Sequence, residues 1–148
     1  SYSVTGVQTC ALPICCIDQP RLAHCIGPEI RVTGAIGYVR LHGRRTETWF
    51  DSHGDSAARY DYLYGEGELS EWVARIRRLL TMANEVYVFA NNHLRGQGPA
   101  NALQLMAMLS GSKVATPPLL QNHYPQLRSI STSPVDRNRR LDLFETHD

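Results

Sequence analysis

Two histidines and a set of arginines carry most of the reactive chemistry in the stretch from Gly37 to His93. His42 follows Tyr38-Val39-Arg40-Leu41, and His93 follows Glu85-Val86-Tyr87-Val88-Phe89-Ala90-Asn91-Asn92. Each is an apolar run that ends abruptly in polar side chains. A neutral imidazole accepts or donates a proton near neutral pH, so His42 and His93 are candidate acid-base groups, and Asp18, at the end of a third short apolar run, joins them as a catalytic candidate. The same imidazole and carboxylate set suits zinc, manganese or iron, but no HxH or HExxH spacing supports a metal, so the cofactor is left open and no metal ligand is assigned. Arg40, Arg44 and Arg59 supply planar two-pronged donors for a phosphate or carboxylate, or else pair with Asp51, Asp55 or Asp61 to pin a long loop. Trp49 and Tyr60, Tyr62 and Tyr64, the tyrosines at period two, offer alternate rings for stacking a base or sugar, or a packed extended segment. Asn91 and Asn92 belong to the second polar tip, and Asn101 is placed to cap a following helix or to hold Asn92.

These groups need elements to hold them. Ala35 to His42 reads as a strand bracketed by Gly34 and Gly43, and Arg40 and His42, two apart, share one face of it. A polar face is out of place in a helix-covered parallel sheet unless it lines a site. Arg44 to Tyr64 is a loop of about twenty residues, too long for a plain connection. Glu66 to Ala83 is a helix, because Leu69, Trp72, Val73, Ile76, Leu79, Leu80 and Ala83 recur at i, i+3, i+4, i+7, i+10, i+11 and i+14. Glu66, Glu68 and Glu71 precede Arg75, Arg77 and Arg78 along it, which complements the helix dipole. Glu85 to Ala90 is a second strand, and Pro99 suits the first position of a helix that stops at Gly111. Strand, helix and strand make a parallel βαβ unit, and parallel strands present their C-terminal ends together, so His42, Arg44, Asn91 and His93 should meet on one rim. Cys15-Cys16-Ile17 reads as the tail of another strand, running into a turn at Pro20. A connector of mixed character follows to Thr33, and a short helix fits Leu119 to Leu127.

Composition bounds the function classes. At 148 residues, 43% hydrophobic and 20% charged, the chain is one ordinary globular domain. A net charge of +1 provides no global field for nucleic acid, so such binding would need a local patch. No apolar run is long enough to span a membrane and no signal peptide is evident, which makes the cytoplasm the expected compartment. Cys10, Cys15, Cys16 and Cys25 lack paired metal-ligand spacing, and adjacent Cys15 and Cys16 on a strand point to opposite faces.

Val4 to Ile14, Val-Thr-Gly-Val-Gln-Thr-Cys-Ala-Leu-Pro-Ile, looks like the in-frame translation of a constant adapter oligonucleotide. Residues 1–14 are therefore set apart from the fold, residues 15–128 are read as the domain, and residues 129–148 as a flexible tail. Within the domain, Tyr38 to Arg44, Trp49, Arg59 to Tyr64, Asn91 to His93 and Asn101-Ala102 stand in the order in which they occur in the YecE-like family, domain of unknown function 72. The chain strongly resembles that family from about Asp18 to about Leu120, with Arg45 departing from the family's usual asparagine. The resemblance implies an α/β fold, the C-terminal fragment of a TIM-type (β/α) barrel with about three parallel strands and covering helices. It implies no established reaction, although the fold is shared with sugar isomerases and a metal-dependent nuclease acting at abasic sites. The leading expectation is an enzyme acting on a phosphorylated or otherwise anionic small ligand at the strands' C-terminal rim. The alternative is a nucleic-acid-binding protein using the same arginines and aromatics.

Overall fold

The computed structural model describes residues 14–47, 49 and 56–132. Three strands, β1 (Cys15–Asp18), β2 (Ile36–Leu41) and β3 (Glu85–Ala90), form one parallel sheet in sequence order. The register sets Cys15 beside Tyr38 and Tyr38 beside Tyr87, and carries Asp18 to Leu41 and Leu41 to Ala90. Parallel pairing of consecutive strands demands long crossovers. The first is the irregular segment from Gln19 to Ala35. The second is the loop through a 3-10 turn (Ser56–Tyr60) and then helix α1 (Glu66–Leu80). Helix α2 (Gln97–Ser110) follows β3, and short helices α3 (Pro118–His123) and α4 (Leu127–Ile130) close the described chain.

Alternation along the strands divides the sheet into two unlike faces. Cys16, Asp18, Val39 and Leu41 face α1, where Leu69, Trp72, Val73, Ile76 and Leu79 complete the core with Tyr64 and Leu105. The apolar stripe read from the sequence is this buried one, except that Leu80, in the last helical turn, is exposed. Ile36, Tyr38, Arg40, Tyr87 and Phe89 lie on the opposite face, where no helix among the described residues covers them; Tyr87 and Phe89 are 48% and 45% exposed, and the Tyr38 and Phe89 rings meet at 4.9 Å.

Several boundaries differ from the expectations: β2 is one residue shorter at each end than Ala35 to His42, and α1 stops at Leu80 rather than Ala83. Helix α2 starts at Gln97, so Pro99 sits in its first turn rather than at its first position, where its missing N–H costs no helical bond. Gly98 suits the close approach there, because a Cβ would lie 3.0 Å from the Ala90 carbonyl oxygen and 3.3 Å from that of Asn92. The single short helix expected over Leu119 to Leu127 is two, broken at Tyr124 and Pro125. Order also continues past residue 128: Ser131 bridges to Val114, and the Thr132 N–H donates to the Val114 carbonyl at 2.9 Å. Residues 1–13 and 133–148 lie outside the described residues, as do Asp51 and Asp55.

Candidate functional site

Continuation of the backbone pairing beyond the strands builds the rim. The His42 N–H donates to the Asp18 carbonyl at 3.0 Å and the Asn91 N–H to the Leu41 carbonyl at 2.8 Å, so the three strand tips stay in step. Over these tips the 3-10 turn lays the Tyr60 ring between the two imidazoles, 5.8 Å from His42 and 5.5 Å from His93 by centroid. Trp49 meets His42 edge-on at 6.4 Å. Beneath them the Arg40 Nε donates to Asn91 Oδ1 at 3.0 Å. The two histidines, 51 residues apart in sequence, thus share one aromatic neighbour at the C-terminal end of the sheet.

Their environments differ. Burial lowers the His42 pKa, repulsion from Arg40 lowers it further, and attraction to Asp18 only partly opposes them, so a neutral ring is favoured. Its Nδ1 is buried with no hydrogen-bond partner among the described residues. His93 is exposed, and its Nδ1 lies 2.8 Å from the Asn91 carbonyl oxygen. A carbonyl only accepts, so this contact puts a proton on Nδ1 and, in the corresponding tautomer, makes Nε2 the basic nitrogen. Arg59 adds a buried Nε with no partner among the described residues.

Arg44 does not stand with the histidines. Its guanidinium turns to the helix side, where Nε donates to Asp18 Oδ2 at 2.9 Å and Nη2 to Oδ1 at 3.0 Å, a two-pronged pair on a carboxylate only 1% exposed. Nη1 reaches Glu68 Oε1 at 3.0 Å and Nη2 lies 3.6 Å from Glu71. Burial works against this charge, but the bonds to Asp18 and the field of Glu68 outweigh it and hold the arginine pKa above its ordinary value. Glu68 also accepts from the Tyr62 hydroxyl at 2.7 Å and, through Oε2, from the Gly65 N–H that opens α1. Burial and the bond to Glu68 push the Tyr62 phenol up to about 12. The Tyr64 hydroxyl accepts the Gly43 N–H at 2.7 Å, and burial with the adjoining Asp18 raises its pKa as well. Asp18, expected among the reacting groups, is therefore enclosed by Arg44 and Tyr64.

The tyrosines do not form a common platform. Tyr64 is buried and Tyr62 packs edge-on against it at 5.1 Å, which leaves Tyr60 as the one tyrosine of the three among the rim imidazoles. Asn92 and Asn101, both fully buried, act on the backbone: Asn101 accepts from the Tyr64 N–H and from Asn92 Nδ2 and donates to the Tyr64 carbonyl, while Asn92 Nδ2 donates to the Tyr62 carbonyl. Together they clip the end of the long loop to β3 and α2.

Sequence reasoning missed Glu68 as a hub and missed the surroundings of Asp61. The Asp61 carboxylate accepts from Gln97 Nε2 at 2.9 Å and pairs with Arg45 at 3.4 Å and Arg95 at 3.7 Å, rather than with Arg59 or Arg40. The Glu three residues after Gly65 was a legible capping signal. Nothing local in the sequence announced Arg95. Among the described residues no group of three His, Cys, Asp or Glu side chains is arranged to hold a metal ion, and no helix is long and apolar enough to cross a membrane. Cys15, Cys16 and Cys25 are free thiols, and Cys16 is buried against the Arg31 backbone.

Comparison with known proteins agrees with this architecture. A curated relative, the UPF0759 protein YunF of Bacillus subtilis, is 31% identical over 74 residues, which is 48% of this chain and 26% of that protein. A DUF72 family protein of Thermotoga maritima, known from its crystal structure, superposes with a TM-score of 0.62 at 36% identity, covering 67% of this chain and 37% of the other. A DUF72 family protein of Enterococcus faecalis superposes with a TM-score of 0.59 at 24% identity, over 70% and 38%, which bears on the fold alone. The chain thus spans about a quarter to two fifths of these relatives and presents part of their TIM-barrel-like fold. The model of the family described as "Protein of unknown function DUF72" matches residues 7–125, starting within the adapter-like stretch, and the chain belongs to that family.

Proposed function

We propose that the rim formed by Arg40, His42, Tyr60, Asn91 and His93 binds a small phosphorylated or otherwise anionic ligand, with His93 as its acid-base group. The observation that carries this reading is the pair of imidazoles on either side of Tyr60, one whose pKa is lowered and one whose Nδ1 is tied to a backbone carbonyl. A base oriented through its second nitrogen is the arrangement that proton transfer needs. Arg40 supplies the charge, aligned by Asn91, and Arg59 offers a buried donor beside Tyr60. Arg44 is assigned to the fold, because its donors are taken by three carboxylates.

Titration of the chain with inorganic phosphate, followed through the histidine ring resonances, tests the proposal. The His42 and His93 signals are expected to shift in parallel and saturate, and Arg40→Ala is expected to weaken binding by about tenfold, the scale of one lost charged hydrogen bond. Shifts confined to other histidines would refute it. A steep loss of binding to single-stranded DNA with added salt, without any response to phosphate, would favour the nucleic-acid reading instead.

A further inference from the structure

Asn92 stands in the chain between two rim residues, Asn91 and His93, yet it is fully buried and has no surface to offer a ligand. Its Nδ2 donates at 2.8 Å to the Tyr62 carbonyl and at 2.8 Å to Asn101 Oδ1, which spends both of its hydrogens inside the fold. Its Oδ1 is buried with no hydrogen-bond partner among the described residues. A buried acceptor without a donor costs stability, so packing alone does not explain an amide at this position. What the amide supplies is the two N–H bonds, and both hold the segment that carries Tyr60. The Tyr62 N–H donates to the Tyr60 carbonyl at 3.0 Å, so the anchored carbonyl belongs to a tight turn beginning at Tyr60. Two residues on, Asn101 Oδ1 also accepts the Tyr64 N–H, which fixes the amide that Asn92 leans on. At the other end Asn92 is bonded covalently to His93, whose imidazole lies 5.5 Å from the Tyr60 ring. One buried hydrogen bond therefore bridges the two segments within two residues of the rings that meet at the rim.

We propose that Asn92 is a positioning residue for the rim: by tying the Tyr62 backbone to the tip of β3 it sets the Tyr60 ring between His42 and His93, and so sets the affinity of the site without touching the ligand. This rests on the rim reading above. The role suits an amide held in place at both hydrogens, because a site loses affinity when its groups must be ordered on binding rather than beforehand. The unpartnered Oδ1 is the stability given up for that order.

Asn92→Ala and Asn92→Ser test this on the whole chain, with inorganic phosphate as the probe and the His93 ring proton resonances as a report on the Tyr60 ring beside them. Truncation removes the orphaned Oδ1 together with the two donors, so the Tm is expected to stay within about 5 °C of the wild type. The His93 signals are expected to lose the displacement that the Tyr60 ring current imposes, and phosphate binding to weaken about tenfold. Val73→Ala in the core of α1 serves as the control: it is expected to lower the Tm while leaving the His93 signals and the affinity as they were, which separates loss of position from loss of stability. Folded Asn92 variants with wild-type His93 signals or wild-type affinity would overturn the proposal. Loss of folding in both variants would overturn it as well, since the amide would then hold the fold rather than the site. The two readings separate in the wild type: if it does not bind phosphate, the rim reading falls and the affinity claim with it, whereas phosphate binding that survives both substitutions removes the positioning role alone.

Discussion

Replacing Asp18 by alanine should cost this fold a large share of its stability. The carboxylate is 1% exposed, takes a two-pronged bond from Arg44 at 2.9 and 3.0 Å, and is hydrogen-bonded to the Tyr64 hydroxyl. Removing one member of a buried ion pair typically costs 3–5 kcal/mol, because the other charge stays desolvated without its partner. Arg44 keeps Glu68 at 3.0 Å and Glu71 at 3.6 Å, which places the arginine's share near the lower end, about 3 kcal/mol. The Tyr64 hydroxyl loses its acceptor, for about 1 kcal/mol more. For a chain of this size a loss of 3–4 kcal/mol lowers the Tm by about 10 °C, readable by circular dichroism. Combining Asp18→Ala with Arg44→Met in a double-mutant cycle should return a coupling of about 2 kcal/mol or more, since the second change removes the stranded charge. A Tm drop below about 2 °C together with a coupling near zero would refute the argument and return Asp18 to the set of groups available for chemistry.

Further outcomes follow from other contacts. Gly43 has φ +94° and a Cβ there would lie 2.6 Å from the Tyr62 Cβ, so Gly43→Ala should destabilise by about 2 kcal/mol or more in urea unfolding; a change under 0.5 kcal/mol would show that the turn relaxes freely. Asn101→Ala should cost about 2–3 kcal/mol, because it strands the buried Tyr64 amide and takes one of the two acceptors of Asn92 Nδ2, which keeps the Tyr62 carbonyl, and a protein that melts like the wild type would count against the clip. His42 has a lowered folded pKa, so the unfolded chain takes up the proton first. Its contribution is complete above the ordinary histidine pKa of about 6.5 and is lost as pH falls below that, and His42→Gln should flatten the slope of Tm against pH in that acid window. The chain itself should self-associate as concentration rises, since β1 and β3 are edge strands beside an exposed Ile36, Tyr87 and Phe89; a monodisperse monomer by analytical ultracentrifugation with one sharp unfolding transition would contradict this.

The parts of this fold that obey a period could be read from the chain. Alternation and β-branched or aromatic residues marked β2 and β3, and the 3.6-residue recurrence of Leu69, Trp72, Val73, Ile76 and Leu79 marked α1 with its buried stripe. The polar tips located the rim for the same reason, since His42 and Asn91 to His93 interrupt apolar runs. What remained hidden depends on pairing across distance. Arg40 and Arg44 look alike in sequence, but strand alternation sends Arg40 to the bare face beside Asn91, while the turn at Gly43 sends Arg44 among Asp18, Glu68 and Glu71. Tyr60, Tyr62 and Tyr64 likewise share a spacing that the 3-10 turn overrides, because it ends at Tyr60 and gives that ring a different neighbourhood from the other two. The left-handed backbone at Arg95 is likewise a feature that no residue type announces.

The face of the sheet that the described residues leave open makes the strength of the rim's electrostatics conditional. Arg40 rises from that face, between Tyr38 and the end of β2, with its neighbours Tyr87 and Phe89 open to water. Water beside these residues screens its field, whereas a packed layer over them would lower the local dielectric and strengthen the attraction for an anion. His42 would respond to the same change, its ring driven further toward the neutral form by the strengthened repulsion from Arg40. Whatever layer comes to lie on Tyr38, Tyr87 and Phe89 therefore acts as a gain control on the site, setting both the hold on an anion and the proton affinity of the histidine without touching either.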